Sequence, residues 1–230
     1  MNRPGRPRPV LGPVEGRKPC EQARAGPPPD APRRWSRAQL QASLDAALAH
    51  WDRKAPLWVF GYGSLIWTPE FEFEARRPAR VHGYRRRLCL RSVLYRGTHE
   101  YPGIVAGLDR GGSCLGMAYR IAGARVPTVF GQLWEREMFL GSYRPAWTRA
   151  RLRDGAAVAA LAFVVRRDAF NYCGDLPDDE IVEILVRARG LRGSSLDYLQ
   201  RTVSALHEAG LGDPHLERLA QRAARRLARR

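Results

Sequence analysis

The 230-residue sequence has no apolar run near the roughly 20 residues that a membrane-spanning helix needs, and no apolar stretch of a secretory signal near its start. A membrane protein is therefore not expected; a cytoplasmic one is. Cysteine is sparse: Cys20, Cys89, Cys114 and Cys173 stand far apart with no C-x-x-C pair, so neither a zinc site nor a redox dithiol is predicted. Idle thiols in a reducing compartment are the expectation. The five histidines show no H-E-x-x-H or other ligand spacing, and a metal or other cofactor has no support. Also missing are a G-x-S-x-G elbow, which weakens a serine nucleophile, and a G-x-G-x-x-G turn, which weakens a dinucleotide fold. Lysine is nearly absent, since all but two of the 39 basic residues are arginine, the exceptions being Lys18 and Lys54.

The apolar share of 44% is close to the globular average, so a packed core is expected despite a net charge of +16. That charge is uneven. Residues 1–34 and 215–230 carry +5 each, and such an arginine skew by itself is not an argument for nucleic acid. Nine of the 17 prolines fall within residues 1–34, which predicts a disordered or polyproline-like arm. A folded domain is expected over 35–214, with a basic helix over 215–230. The domain opens at Ser36, an N-cap with Gln39 as capping-box partner, ahead of a helix whose Leu40, Leu44, Leu48 and Trp51 share one face. Strand-like runs follow at 57–60, 79–93, 103–108, 114–121 and 158–165. Helical patterns occupy 126–140, 177–189, 194–208 and 214–229. Strands and helices do not alternate regularly, so the expected class is α+β, built on a sheet or small barrel.

Three groups could carry chemistry. The first is Tyr62-Gly63-Ser64-Leu65 after the apolar strand Trp58-Val59-Phe60-Gly61; a turn with glycines can present successive N–H groups to an anion such as a substrate carboxylate. An ordinary tight turn with Ser64 as a local cap is the alternative. The second is the helix bearing Val126, Val129, Phe130, Leu133 and Trp134, whose apolar stripe reaches Glu137, while Glu135, offset by about 200°, falls on the polar side. A carboxyl on the inward face is desolvated, which raises its pKa toward the range useful for proton transfer near neutrality. A structural ion pair with an arginine is the alternative there. The third comprises Tyr143, the Asn171-Tyr172-Cys173-Gly174 segment and Asp197-Tyr198-Leu199, each of which suits either substrate orientation or an element boundary.

In chain order, Val59-Phe60-Gly61-Tyr62-Gly63-Ser64-Leu65-Ile66-Trp67, Arg86-Arg87, Arg96-Gly97, Gly116-Met117-Ala118-Tyr119-Arg120, Arg136-Glu137, Tyr143-Arg144, Asn171-Tyr172-Cys173-Gly174 and Asp197-Tyr198-Leu199 resemble the ChaC family of glutathione-specific γ-glutamylcyclotransferases. The resemblance spans roughly residues 57–208. It implies a mixed β-barrel with surrounding helices, a pocket at the barrel mouth, Glu137 as acid/base, and substrate binding by Tyr62, Gly63, Ser64, Leu65, Tyr143 and Tyr172. It also implies cleavage of glutathione to 5-oxoproline and Cys-Gly, with no metal or cofactor and no protein partner. The spacing from Glu137 to Tyr143 is longer than in compact members of the family and looks like the bacterial branch. Two other readings remain: a cyclotransferase for another γ-glutamyl amine or peptide, and a basic binding module using the stripe Arg218, Arg222, Arg225 and Arg229 opposite Leu216, Leu219, Ala223 and Leu227.

Overall fold

Leu57–Gly61 (β1) is an uninterrupted apolar strand because both of its faces are covered and both of its edges are paired: antiparallel to Gly103–Ile121 (β3) and parallel to Ala157–Val165 (β5). With Ala75–Ser92 (β2) and Tyr143–Leu152 (β4) these strands close a barrel in the order β1-β3-β2-β4-β5. The computed structural model describes residues 34–229; the arm expected over 1–34 lies, apart from Arg34, outside the described residues.

Two strand expectations change. The runs 103–108 and 114–121 are one strand: the polar stretch between them, with Gly111 and Gly112 at positive φ, is flanked by the pairs Tyr84↔Arg110 and His82↔Ser113 with β2 and forms a bulge between them. Register shifts between His82 and Tyr84 and between Leu88 and Leu90 curl this long pair, as bulges do. Strand β4 was not anticipated, because its exposed residues are Arg144, Trp147, Arg149 and Arg151 while its buried ones, Ala150 and Leu152, form too short an apolar pattern. Its pairing with β5, from Tyr143↔Val165 to Arg151↔Ala157, holds it as a strand. Alanines at 118, 150, 160 and 162 leave room for the Phe60 and Tyr62 rings in one of the two main buried clusters.

The other cluster lies where helices cover the sheet. Helix α1 (Arg37–Leu48) has the expected capping box, with the Gln39 amide donating to Ser36 Oγ at 3.2 Å and the Ser36 amide to Gln39 Oε1 at 2.8 Å. Its Ser43 Oγ accepts the Trp134 indole N–H at 3.2 Å. The pattern over 126–140 is helical, yet only Val126–Leu133 (α2) is α-helix, and Trp134–Met138 forms a π-helical turn. Helices α3 (Asp178–Arg187) and α4 (Ser195–Glu208) follow, separated by the two-residue strands Arg189–Gly190 (β6) and Gly193–Ser194 (β7). Helix α5 (Pro214–Ala228) buries Leu216, Leu219, Ala220 and Ala223, and its Arg222 and His215 pair with Asp178 at the start of α3. The basic C-terminal helix thus packs into the same compact unit as the barrel.

Gly116 marks where β3 passes closest to β1: a Cβ there would overlap the Gly61 carbonyl and sit 2.7 Å from Phe60 Cζ. Overpacking of this kind costs typically about 1–3 kcal/mol, and at this chain length each kcal/mol moves Tm by roughly 2–4 °C. Gly116→Ala is expected to lower Tm by several degrees in a thermal scan; an unchanged Tm would contradict the close approach.

Candidate active site

One cleft of about 400 Å³ is walled by the segment after β1, the π-turn, the loop after β2 and the start of α4. Tyr62, Gly63, Ser64, Leu65, Glu137, Tyr143 and Tyr198 all line it. A second hollow of about 510 Å³ behind Tyr143 is lined by Arg110, Arg144, Arg166, Arg167 and the single carboxylate Asp168, which is paired with Arg166. Acid/base chemistry therefore belongs to the first.

The turn after β1 is fixed from every side. Tyr62 donates its phenol to the Phe163 carbonyl at 2.7 Å, and its own carbonyl accepts Arg86 Nε–H at 2.6 Å. The Leu65 carbonyl accepts the Tyr119 hydroxyl at 2.8 Å, and Ser64 Oγ accepts Arg136 Nη2–H at 3.2 Å. A short 3₁₀ helix, Ser64–Ile66, carries the chain away, and the Gly63 amide has no acceptor among the described residues. Gly63 also lets α4 come close, since a Cβ there would lie 2.9 Å from the Tyr198 hydroxyl. Tyr198 is held by accepting the Ala106 amide at 3.2 Å, and the buried Ser195 hydroxyl, between Ile104 N–H and the Arg96 carbonyl, pins the same helix to β3.

Glu137 enters from the π-turn. Such a turn inserts a residue into the helical repeat and is common at functional sites, and here Trp134 and Met138 are buried while Glu137 lines the cleft with its side chain 16% exposed. Glu135 is exposed. Burial raises the Glu137 carboxyl above the usual value; Arg136, with Nε at 3.2 Å from Oε1, opposes that shift in part, and Glu70 adds to it. Both the desolvated acid and the ion pair expected as its alternative are therefore present, and desolvation outweighs the pair. Arg136 has other duties, donating to the Thr68 and Pro69 carbonyls at 2.7 and 3.1 Å and to Glu70 at 3.0 Å.

The phenols around Glu137 are poor bases. Burial, with further contributions from Glu137, lifts Tyr62 and Tyr143 well above the ordinary tyrosine value, and burial lifts Tyr198 to about 12. All three remain neutral at physiological pH and can donate hydrogen bonds, whereas the Glu137 carboxyl is raised from its ordinary value toward neutrality. Among the described residues no cluster of His, Cys, Asp or Glu could hold a metal ion.

Tyr172 does not join this group. Its hydroxyl donates to Asp109 Oδ2 at 3.0 Å, away from the cleft lining, which the neighbouring Phe170 and Asn171 reach instead. Asp109 is fully buried; burial alone would raise its carboxyl, but hydrogen bonds from Arg167, the Arg110 amide and Tyr172 outweigh this and hold it below the ordinary value. Tyr172 thus supports a buried carboxylate. Conversely, Tyr198, named only within the third group of candidates, lines the cleft, and so do Arg96 and Arg136, which had been given no role. For Tyr198 the signal was available, because Leu196, Leu199, Thr202, Ala205 and Leu206 place it on the inward stripe of α4.

The cleft thus brings together a glycine turn, a desolvated glutamate and neutral phenols, groups suited to proton transfer and to hydrogen-bonding a small polar molecule. The barrel is shared with solved structures: the yeast γ-glutamylcyclotransferase specific to glutathione superposes with a TM-score of 0.69 at 22% identity, covering 74% of this chain and 96% of that one. The ChaC-like protein family matches residues 57–226, and the chain belongs to that family. Relatives include the glutathione-specific γ-glutamylcyclotransferase of Escherichia coli K12, 36% identical over 80% of each chain, and the human glutathione-specific γ-glutamylcyclotransferase 1, 34% identical over 70% of this chain and 75% of that protein.

The raised Glu137 carboxyl has a stability consequence. A carboxyl whose folded pKa lies above its unfolded one contributes fully below the unfolded value and loses that contribution as pH rises through the folded one. Glu137→Gln keeps an acceptor for Arg136 and cannot ionise. Its Tm relative to the parent is therefore expected to climb as pH rises from the ordinary carboxyl value of about 4.3 through the raised folded value; a relative Tm that falls as pH rises would make the Arg136 pair the dominant interaction.

Proposed function

We propose that this protein is a γ-glutamylcyclotransferase that cleaves glutathione to 5-oxoproline and Cys-Gly, with Glu137 as the proton carrier. The observation that carries the reading is the desolvated Glu137 carboxyl sharing one cleft with the Tyr62–Leu65 turn. Membership of the ChaC-like family and the activity of the named relatives support it.

The reaction needs little more than a folded substrate and a managed proton. The α-nitrogen of the γ-glutamyl group attacks its own γ-carbonyl carbon, a five-membered lactam closes, and the bond to the cysteine nitrogen breaks. Both reacting groups belong to one molecule, and well-oriented intramolecular reactions reach effective molarities on the order of 10⁵ M or more. Glu137 as carboxylate takes a proton from the α-ammonium, making the nitrogen nucleophilic; as the acid it returns that proton to the departing amine, and the second proton that the attacking nitrogen sheds on becoming the lactam N–H ends on the same amine, which leaves as an ammonium. No water is consumed. The Gly63 amide and its neighbours in the turn receive the α-carboxylate, and the neutral Tyr143 and Tyr198 hydroxyls are placed to donate to the γ-glutamyl group. Tyr172, with its hydroxyl committed to Asp109, has no part in this scheme.

A cytoplasmic location goes with this reading, supported by free thiols at Cys89, Cys114 and Cys173, a state kept by reducing compartments. The binding-module alternative is weakened at Arg222 of the basic stripe, which is committed to Asp178 and Asp179 of α3; Arg226, outside the stripe, pairs with Glu183.

Purified protein incubated with reduced glutathione is expected to release 5-oxoproline and Cys-Gly in equal amounts, with or without a chelator. Absence of 5-oxoproline, or turnover of other γ-glutamyl amines only, would overturn the substrate assignment. Since acid/base groups contribute about 10²–10⁴ in rate, Glu137→Gln is expected to lose at least 100-fold in kcat with its fold intact, and Glu135→Gln to stay near the parent. Full activity in Glu137→Gln, measured beside Tm on the same preparation, would remove the residue from the mechanism.

A further inference from the structure

Five arginines line the cleft: Arg91, Arg96, Arg136, Arg192 and Arg201. Four already face carboxylates. Arg91 lies 2.9 Å from Glu180, Arg96 and Arg201 lie 2.8 and 3.1 Å from the two oxygens of Asp197, and Arg136 is shared between Glu70 and Glu137. Arg192 has no carboxylate partner among the described residues, and its guanidinium rests over the Tyr95 ring, 4.5 Å from the centroid.

We infer that Arg192 is the specificity residue for the peptide half of the substrate, gripping the terminal glycine carboxylate of glutathione while the turn at Gly63 holds the γ-glutamyl carboxylate. This rests on the glutathione reading above. A substrate with two carboxylates needs two receptors, and a cation already neutralised by a protein carboxylate attracts a second anion weakly. Arg192 is the cleft arginine whose charge remains to be matched.

Its placement suits the task. The Arg192 amide donates to the Tyr95 carbonyl at 2.9 Å and the Leu191 amide to the Leu94 carbonyl at 3.0 Å, which fixes the β6–β7 connection against the loop after β2. The Tyr95 ring in turn meets Phe139 at 6.4 Å, and Phe139 follows Glu137 by two residues along the cleft wall. Two ring contacts therefore connect the guanidinium to the segment bearing the proton carrier. Beyond the scissile bond, Cys-Gly spans about 7 Å when extended, so its terminal carboxylate is held well away from the reacting atoms. An arginine stacked on an aromatic face has lost part of its rotamer freedom before the ligand arrives, and its planar fork accepts a carboxylate through two parallel hydrogen bonds.

The contact is remote from the reacting atoms and is made equally in the ground and transition states, so its loss acts on KM rather than kcat. The test compares glutathione with its C-terminal amide, in which glycinamide replaces glycine. The parent enzyme is expected to prefer glutathione by roughly tenfold or more in kcat/KM, the scale of a charge-assisted hydrogen bond. Arg192→Gln is expected to raise KM for glutathione by a similar factor and to distinguish the two compounds no longer; Arg192→Lys recovers part of the preference. Arg192 is exposed, and an unchanged Tm in each variant verifies the fold. A parent enzyme indifferent to the amide, or an Arg192→Gln variant that keeps the parent's preference, would overturn this assignment and leave the cyclotransferase reading standing. A parent enzyme that releases 5-oxoproline from neither compound would overturn both.

Discussion

The buried guanidinium of Arg86 is the constraint on which the rest of the site depends. Its side chain is 3% exposed, and it donates to the Tyr62 carbonyl, the Leu115 carbonyl of β3 and the Asp213 carboxylate that caps α5. One planar group thus joins the glycine turn, the barrel wall and the C-terminal helix. A charge so deep is tolerable only while all three acceptors stay in place, because breaking a buried pair typically costs about 3–5 kcal/mol. This makes α5 part of the site's scaffold, although none of its residues lines the cleft. The turn is correspondingly stiff, with Tyr119 and Arg136 holding its later residues and Tyr62 hydrogen-bonded through both its hydroxyl and its carbonyl.

Against that fixed turn, the state of the Glu137 carboxyl is set by how little water reaches it. Desolvation raises its carboxyl more than the adjacent Arg136 lowers it. A tighter ion pair would favour the carboxylate, and burial without Arg136 would favour the acid still more; the two effects oppose each other at this one carboxyl, with burial the larger. The three phenols press in the same direction, since each is neutral and fills space that water would otherwise occupy. Elsewhere in this arginine-rich chain, carboxylates serve to fix cations rather than to react, as with Asp109 among Arg167, Arg87 and Tyr172, and Asp197 between Arg96 and Arg201. The cleft's arginines are consequently mostly spoken for, which is what gives Arg192 its significance.

The sequence by itself determined the elements with strong local signals. The Ser36 capping box, the apolar β1 run, and the faces of α3, α4 and α5 follow from nearest-neighbour chemistry, and so does the choice of Glu137 over Glu135 from helical periodicity. The class, α+β on a sheet or small barrel, followed from their order, and the choice of a barrel from the family resemblance. Tertiary structure alone decided the rest. Strand β4 exists because β2 and β5 offer it two partners, not because Tyr-Arg-Pro-Ala-Trp favours a strand. The segment from Asp109 to Ser113 stays in β3 because β2 supplies its hydrogen bonds. The π-turn that carries Glu137 is invisible in a 3.6-residue repeat, and Tyr172 looked like a substrate ligand only until the fold set Asp109 beside it. Local sequence records which backbone conformations are favourable; whether an arginine is free or matched, and whether a carboxyl is dry or solvated, depends on residues up to 100 or more positions away, which meet only when the barrel closes.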